Sequence, residues 1–337
     1  MARVKEFGLA LETSPATEIL RCARLAETAG FGSFWVLEDP FFRGAFSLAT
    51  AVACQTESLR IGISVVNPYT RHPGLIAMEF ATLDEISGGR AVLGIGAGTR
   101  FWIQDQLHLG WERPGRAIRE TVDLIRGLLR GEQLTYSGEI FRLTDAVLHF
   151  SPPRSHPPIH LGVTGPKNLQ LAGAIADGVI LSTMSGPEYV RFAREQLRLG
   201  AERAGRTLEG FEVSAILPIS ISEDEKEARE AVKPLLAVLL GIGAFEATSP
   251  ILRCVEFPET LLRQFTERFR RGEIPVELVT DQVIDSFAIA GSPAHCRKRM
   301  AEFVAAGVDV PIAYEIPGIN PEEMIASLKR HLVPEFS

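Results

Sequence analysis

The chain has 337 residues, 46% of them hydrophobic and 23% charged, with a formal net charge of -7. That is enough apolar content for a large core, as one barrel or two smaller domains, and an acidic balance with no basic block argues against nucleic acid as a partner. No stretch reaches the ~20 apolar residues that span a bilayer, the amino terminus MARVKEFGLALETSP is too polar for a signal peptide, and Cys22, Cys54, Cys254 and Cys296 lie scattered, as reduced core thiols of a cytosolic protein do.

Strand and helix then alternate almost throughout. Residues 4–11 read as a first strand, and 15–29 as an amphipathic helix with Thr13 or Ser14 as cap and Gly30 as stop. Residues 33–37 are a second strand ending in Glu38-Asp39-Pro40, and 45–56 a helix. The stretch 59–98, LRIGISVVNPYTRHPGLIAMEFATLDEISGGRAVLGIGAG, is one βαβ unit. Its β-branched run 61–66 suits a parallel strand covered on both faces. Asn67 and Pro68 end that strand, Pro73 suits a first helical turn, Ser87-Gly88-Gly89 close the helix, and a fourth strand at 90–95 turns out through Gly96-Ala97-Gly98. Residues 102–111 are a surface excursion, 113–129 a long helix, and 132–150 an outer hairpin turning at Ser137-Gly138.

After a proline cluster come strand five (159–163), a short helix (167–176), strand six (178–182), a helix (187–204) and a long strand seven (211–222). Residues 223–290 are patterned as helix with no strand, too long for one crossover, and are read as an insertion. Within it, 235–245 either packs on the barrel or forms a partner surface. A helix (293–306), strand eight (308–314) and a closing helix (321–332) complete the chain. Eight strands, each followed by helix, with no G-x-G-x-x-G after the first, favour a closed (β/α)8 barrel over an open doubly wound sheet. Such a barrel takes ~250 residues, so the surplus corresponds to the hairpin and the insertion within one domain, 1–337.

In a parallel barrel the carboxyl ends of the strands share one rim, where ligands bind. The loops after strands three and four are two candidate walls, although short glycine and proline patterns also serve as plain turns. The loop after strand five, Gly162-Val163-Thr164-Gly165-Pro166-Lys167, presents backbone amides and the positive end of a helix dipole where a phosphate can sit, with Lys167 adding charge. The alternative is an ordinary strand-to-helix turn, with a glycine for positive φ and a proline at the first helical position. Glu12, Glu38, Asp39 and Glu315 end strands one, two and eight and are the acid-base candidates, Asp39 foremost; each is otherwise a solvated or ion-paired loop carboxylate. His72 is the best-placed imidazole, as an anion contact, a cofactor neighbour or a hydrogen-bonded loop residue. His149, His156 and His160 lack metal spacing, so no metal site is expected. No nucleophile elbow or Walker loop is found.

The runs SVVNPYTRHP and ATLDEISGGRAVLGIGAG, with GVTGPKNLQLAGAIADGVIL, DQVIDSFAIAGSP and AETAGFGSFWVLED, resemble the luciferase-like flavin and deazaflavin barrel superfamily, and within it the coenzyme F420-dependent methylenetetrahydromethanopterin reductases, over residues 7–332. The resemblance implies a barrel that binds a planar tricyclic cofactor, coenzyme F420 or alternatively FMN, in its carboxyl-terminal mouth, with hydride moving to or from C5. It implies a bulge with a non-prolyl cis peptide between Ser64 and Val65, and Asn67, Gly96, Ala97 and Gly98 lining the ring region. Val163, Thr164, Gly165, Pro166 and Lys167 would hold the phosphate. Two positions depart from the pattern. The reductases' strand-one glutamate is Ala10 here, with Glu12 two residues on and on the same face of a strand, and the Asp-His pair that often closes strand two is Glu38-Asp39. The implied activity is an F420-dependent oxidoreductase acting on a small organic substrate such as a methylene-tetrahydropterin C1 carrier, with Asp39 and Glu12 as acid or base. An FMN-dependent monooxygenase served by a flavin reductase, or a flavin-binding barrel without turnover, are the alternatives. A cytoplasmic homodimer is the expected assembly.

Overall fold

The computed structural model describes residues 3–243 and 247–336. Its strands in chain order are β1 (Gly8–Ala10), β2 (Ser33–Val36), β3 (Arg60–Val66), β4 (Ala91–Gly96), β5 (Leu134–Ser137), β6 (Arg142–Ala146), β7 (Ile159–Gly162), β8 (Gly178–Leu181), β9 (Glu212–Ile221), β10 (Ile289–Gly291) and β11 (Val310–Tyr314). The helices are α1 (Ala16–Thr28), α2 (Ala45–Gln55), α3 (Pro73–Ile86), α4 (Pro114–Leu129), α5 (Pro166–Ile175), α6 (Pro187–Arg203), α7 (Glu225–Gly241), α8 (Pro250–Arg253), α9 (Glu259–Arg270), α10 (Asp281–Phe287), α11 (Pro293–Ala306), α12 (Pro321–His331) and α13 (Val333–Phe336).

Eight strands pair in parallel in the order β9, β11, β1, β2, β3, β4, β7, β8, and a further β8–β9 pairing closes the ring into a (β/α)8 barrel. The apolar strands suit this arrangement, since helices outside and side chains inside keep both faces of each strand dry; the β8–β9 pairing is what distinguishes it from an open sheet. Trp35 and His160 fill the interior with ring centroids 6.1 Å apart. They fit because neighbouring strands step back: a Cβ on Gly62 would lie 2.2 Å from the Trp35 ring, and one on Gly178 2.6 Å from His160 Nε2.

One expectation fails at the end of the insertion. Residues 223–290 are mostly helical, but β10 is a strand, paired with Ile219–Ile221 of β9 beyond the part of β9 that belongs to the ring. Three residues are too few to show an alternation, which is why sequence pattern misses it. In the apolar stretch of α7, Leu235, Leu236, Ala237 and Leu240 are buried, so that stretch packs on its neighbours; Phe245 lies outside the described residues. The hairpin β5–β6 stands apart from the barrel as its own antiparallel pair. Buried Glu120 of α4 anchors its turn by accepting the N–H groups of Glu139, Ile140 and Phe141 at 2.9 to 3.1 Å. The excursion after β4 is less superficial than its sequence suggests: Phe101–Gln106 forms a π-helical turn and buries Ile103. No helix among the described residues is long and apolar enough to cross a membrane.

Candidate active site

Register brings the rim together. Ala10 at the end of β1 lies opposite Tyr314 of β11 on one side and Trp35 of β2 on the other. The residues that follow these strands, Glu12, Glu38, Asp39 and Glu315, therefore emerge side by side.

The adjoining sector of the rim is built around a bulge. β3 pairs with β4 at Ile63–Leu93 and next at Val66–Ile95, so Ser64 and Val65 are the irregularity, and the peptide between them is cis. Val65 lies across glycines of β4 and β7: a Cβ on Gly96 would come within 2.5 Å of Val65 Cγ2, and one on Gly162 within 2.7 Å of Cγ1. Only glycine at these positions leaves Val65 this seat. Asn67 is buried, and its Oδ1 accepts the N–H groups of Tyr69 at 3.1 Å and Thr70 at 2.9 Å, an Asx turn that fixes the loop. Its amide nitrogen donates no hydrogen bond among the described residues. Gly98 has φ of +65°, which a side chain resists, and abuts Ile103 and Asn67. The Ala97 carbonyl is held by Trp111 Nε1 at 2.9 Å.

Beside these loops, the segment Val163–Lys167 leads from β7 into α5. Tyr189 fixes it by donating to the Thr164 carbonyl at 2.7 Å. Pro166 takes the first helical position as expected, but Gly165 has φ of -79° and ψ of 153°, ordinary extended backbone, so this glycine is not there for a left-handed turn. Among the described residues no side chain caps α5, its first backbone bond is Leu169 N–H to Gly165 C=O at 2.9 Å, and a Cβ on Gly165 would meet nothing within 4 Å. The N–H groups of Lys167 and Asn168, at the positive end of the helix, have no hydrogen-bond acceptor among the described residues. Lys167 is exposed and makes no ion pair among the described residues.

Of the four rim carboxylates, two prove structural. Glu38 Oε1 takes Arg71 at 2.7 Å and its Oε2 accepts the Ala45 N–H at 2.9 Å, capping α2. Glu315 accepts the N–H groups of Glu12 at 2.7 Å and Thr13 at 2.8 Å and the Ser14 hydroxyl at 2.6 Å. Although burial opposes it, these donors hold Glu315 below the ordinary carboxylate range.

Glu12 and Asp39 differ, because they face each other. Neither makes an ion pair among the described residues; the guanidinium of Arg43 close by bonds the Glu12 carbonyl at 3.0 Å, not its carboxylate. Glu12 Oε2 accepts the Tyr314 hydroxyl, while Oε1 is buried without a hydrogen bond of normal geometry. Burial first, and then the charge of Asp39, push Glu12 up to about 7. Burial and Glu38 raise Asp39 as well, against a stabilising contact from Glu12. Two carboxyls in one dry place hold one proton more readily than none.

His72 is not part of this group. Its Nδ1 accepts the Gly74 N–H at 3.1 Å, capping α3, and its ring packs edge-on to Phe141 of the hairpin at 5.7 Å. Sequence reasoning missed Tyr314, the donor to Glu12, and an aromatic pair on the rim: Phe41, 72% exposed with φ of +71°, and Trp102, their ring centroids 6.0 Å apart. The available signal was a Phe-Phe and a Phe-Trp in polar loops following the second and fourth strands.

The chain is similar to known proteins. The family model described as luciferase-like monooxygenase matches residues 3–310. The 5,10-methylenetetrahydromethanopterin reductase of Archaeoglobus fulgidus is 33% identical over 319 residues, covering 93% of this chain and 94% of that protein. The protein of the same name from Methanolobus tindarius is 32% identical over 333 residues, covering 97% and 99%. The solved structure of the coenzyme F420-dependent tetrahydromethanopterin reductase from Methanopyrus kandleri is similar over 100% of both chains, with a TM-score of 0.90 at 30% identity.

Proposed function

The chain belongs to the luciferase-like monooxygenase family, and from that premise we propose that it is an oxidoreductase that uses coenzyme F420 to reduce a methylene-tetrahydropterin type C1 carrier. The observation that carries the reading is the Glu12–Asp39 pair, poised to hold a proton at neutral pH on the same rim as the glycine-seated bulge and the uncapped amino end of α5.

The residues present fit that cofactor. Val65 on its glycine seat would give a flat ring a rigid apolar backing, and the Asn67 amide nitrogen and the Gly96–Gly98 turn would help hold it. The free N–H groups of Lys167 and Asn168, with the Lys167 ammonium, suit a phosphate. When bound, coenzyme F420 supplies hydride chemistry at its C5 position. The protein's own part is to orient the substrate, exclude water and manage a proton. The pair protonates a bridging nitrogen of the carrier, so that a C–N bond breaks and the carbon becomes electrophilic. Tyr314 fixes one oxygen of Glu12, leaving the other for that exchange. Phe41 and Trp102 offer an aromatic wall to a flat heterocycle.

We further read residues 1–337 as one domain, and the protein as a homodimer. Helix α3 leaves Leu75, Met78 and Ile86 exposed on one side, 51%, 43% and 46% respectively, and we assign a second copy to cover them. Light scattering that finds only a monomer at working concentration overturns that assignment. For the activity, purified protein is mixed with reduced F420 and methylene-tetrahydromethanopterin, and the rise of oxidised-F420 absorbance is followed. A substrate-dependent rise is expected. Oxygen-dependent consumption of reduced FMN with no such rise would instead support the monooxygenase chemistry for which the family is described, supplied by a separate flavin reductase.

A further inference from the structure

Outside the barrel, a groove of about 620 Å³ runs between the first turns of α4, the length of α5 and the carboxyl end of α6. Its cations are Arg113 just before α4, Arg116 and Arg119 on α4, Lys167 at the head of α5 and Arg203 at the end of α6, and among the described residues no carboxylate lines it. On a chain of net charge -7, that concentration of one sign makes a local field that the overall composition hides. Arg113 and Arg116 are partly answered by Glu139 and Glu120. Arg119, Lys167 and Arg203 form no ion pair among the described residues, although Asp123, one turn along α4 from Arg119, lies near enough to feel its charge. Arg203 reaches across the groove to Gln170 Oε1 at 2.6 Å.

The floor of the groove is small and closely packed. Gly115, Ala174, Gly200 and Ala204 line it, and α6 lies so near α5 that a Cβ on Gly200 would come within 1.9 Å of the Gln170 carbonyl. The result is a shallow track with cations along its edges, not a closed pocket. Its length is close to that of α5, whose ten residues span about 15 Å. Such a track suits a flexible chain with several anionic groups spaced along it. It does not suit a compact single anion. Its head is Lys167 and Asn168, the residues that also begin α5 next to Thr164–Pro166.

We propose that this track is a second binding site, for the polycarboxylate tail of the cofactor: the chain of γ-linked glutamates that follows the phosphate of coenzyme F420 leaves the rim at Lys167 and descends along α5, past Arg119 to Arg203. The proposal rests on the F420 reading above. Arg119 and Arg203 have no place in the proposed chemistry, so their charge can be changed without touching it.

The test compares two forms of the cofactor, F420 with a long oligoglutamate tail and the same phosphate-bearing deazaflavin without glutamates. Each is titrated into the full-length protein and followed by quenching of deazaflavin fluorescence. At low salt the tailed form should bind several-fold more tightly, the combined effect of two weak exposed charge pairs, at Arg119 and Arg203. That advantage should fade as salt is raised and disappear in the double variant Arg119→Glu, Arg203→Glu, with the tail-less form bound equally by both proteins. If the double reversal also weakens the tail-less form, the milder pair Arg119→Gln, Arg203→Gln is read by the same criteria. Equal affinity of the two forms for the wild type, or an advantage that survives both double variants, overturns the track and leaves the F420 reading standing. A wild type that binds neither form overturns the F420 reading itself, and the track with it.

Discussion

Two charge clusters occupy opposite ends of the barrel, and they differ in how their charges are answered. At the amino-terminal end, Arg60 bonds Glu212 at 2.9 and 3.1 Å and Glu6 at 2.9 Å, with Lys5 adding a weaker contact to Glu212 at 3.9 Å. Burial alone would raise Glu212, yet Arg60 and its neighbours hold it below the ordinary carboxylate range. At the carboxyl-terminal rim, Glu12 and Asp39 have each other and a neutral tyrosine, and both move up. The first cluster is satisfied and holds the fold; the second is left short of a counter-charge where ligands enter a barrel. The direction of a carboxyl's shift, more than its presence, separates structure from chemistry here.

Substitutions at the two ends should therefore fail in different ways. The largest effect is expected from Asp39→Asn, which keeps the shape and removes the ionisable group. Turnover should fall about 10²- to 10⁴-fold, the usual worth of acid-base catalysis, with the melting temperature no lower and cofactor affinity within a few fold. Unchanged turnover removes Asp39 from the account. At the other end, Arg60→Ala leaves Glu212 buried without its partner and should lower unfolding free energy by about 3 kcal/mol or more, measured by denaturant titration, while kcat per folded molecule holds. A full-strength fold in that variant would erase the contrast.

Next come two changes of opposite sign, each on the order of 3 kcal/mol. Glu12 is raised from 4.5 to about 7, so the stability it contributes is complete below 4.5 and is lost as pH rises through 7; Glu12→Gln should abolish that alkaline-side loss. His160, on the interior of the other half, is lowered from 6.5 to about 4 by burial, against the pull of Glu212. It stays neutral in the native state, so its 3.9 Å approach to Glu212 is not an ion pair at neutral pH. Its contribution is complete above 6.5 and is lost as pH falls toward 4, and His160→Gln should flatten that acid-side loss. Thermal melts across pH 4 to 7.5 that move both variants in the same direction would contradict the assignment of the two ends. The smallest effect belongs to Tyr314→Phe. Losing the hydroxyl that steadies the Glu12 anion should shift the pH-rate limb upward by about half a unit to one unit, with kcat at the optimum reduced only several-fold.

Much of this was legible in the sequence, for a physical reason. Buried parallel strands are continuous apolar runs, so β2, β3, β4 and β7 to β9 and β11 stand out, and their alternation with helices fixes the rim to which Asn67, Gly98 and Thr164 belong. The seat of Val65 was not legible, since it depends on which glycine of β4 and β7 lies opposite the bulge. Nor were the fates of the four rim carboxylates. Glu38 and Asp39 are adjacent and alike in sequence, but one meets Arg71 and the end of α2 and the other meets Glu12, partners 33 or fewer residues away in directions that only the closed ring defines. His72 looked available because a helix cap and a cofactor contact occupy the same kind of loop. The cation track needed three helices to be set side by side before its charges could be seen together.

The central claim, that the rim pair shares a proton, is most directly tested by infrared difference spectroscopy of the carboxyl C=O stretch, comparing wild type with Glu12→Gln and Asp39→Asn in the cofactor-free protein. Between pH 4.5 and about 7 the wild type should show a protonated carboxyl band that fades as pH rises through 7 and is missing in Glu12→Gln. A wild-type spectrum with no such band anywhere above pH 4.5 would mean that both groups are ionised, as Glu212 is at the other end, and would contradict the account.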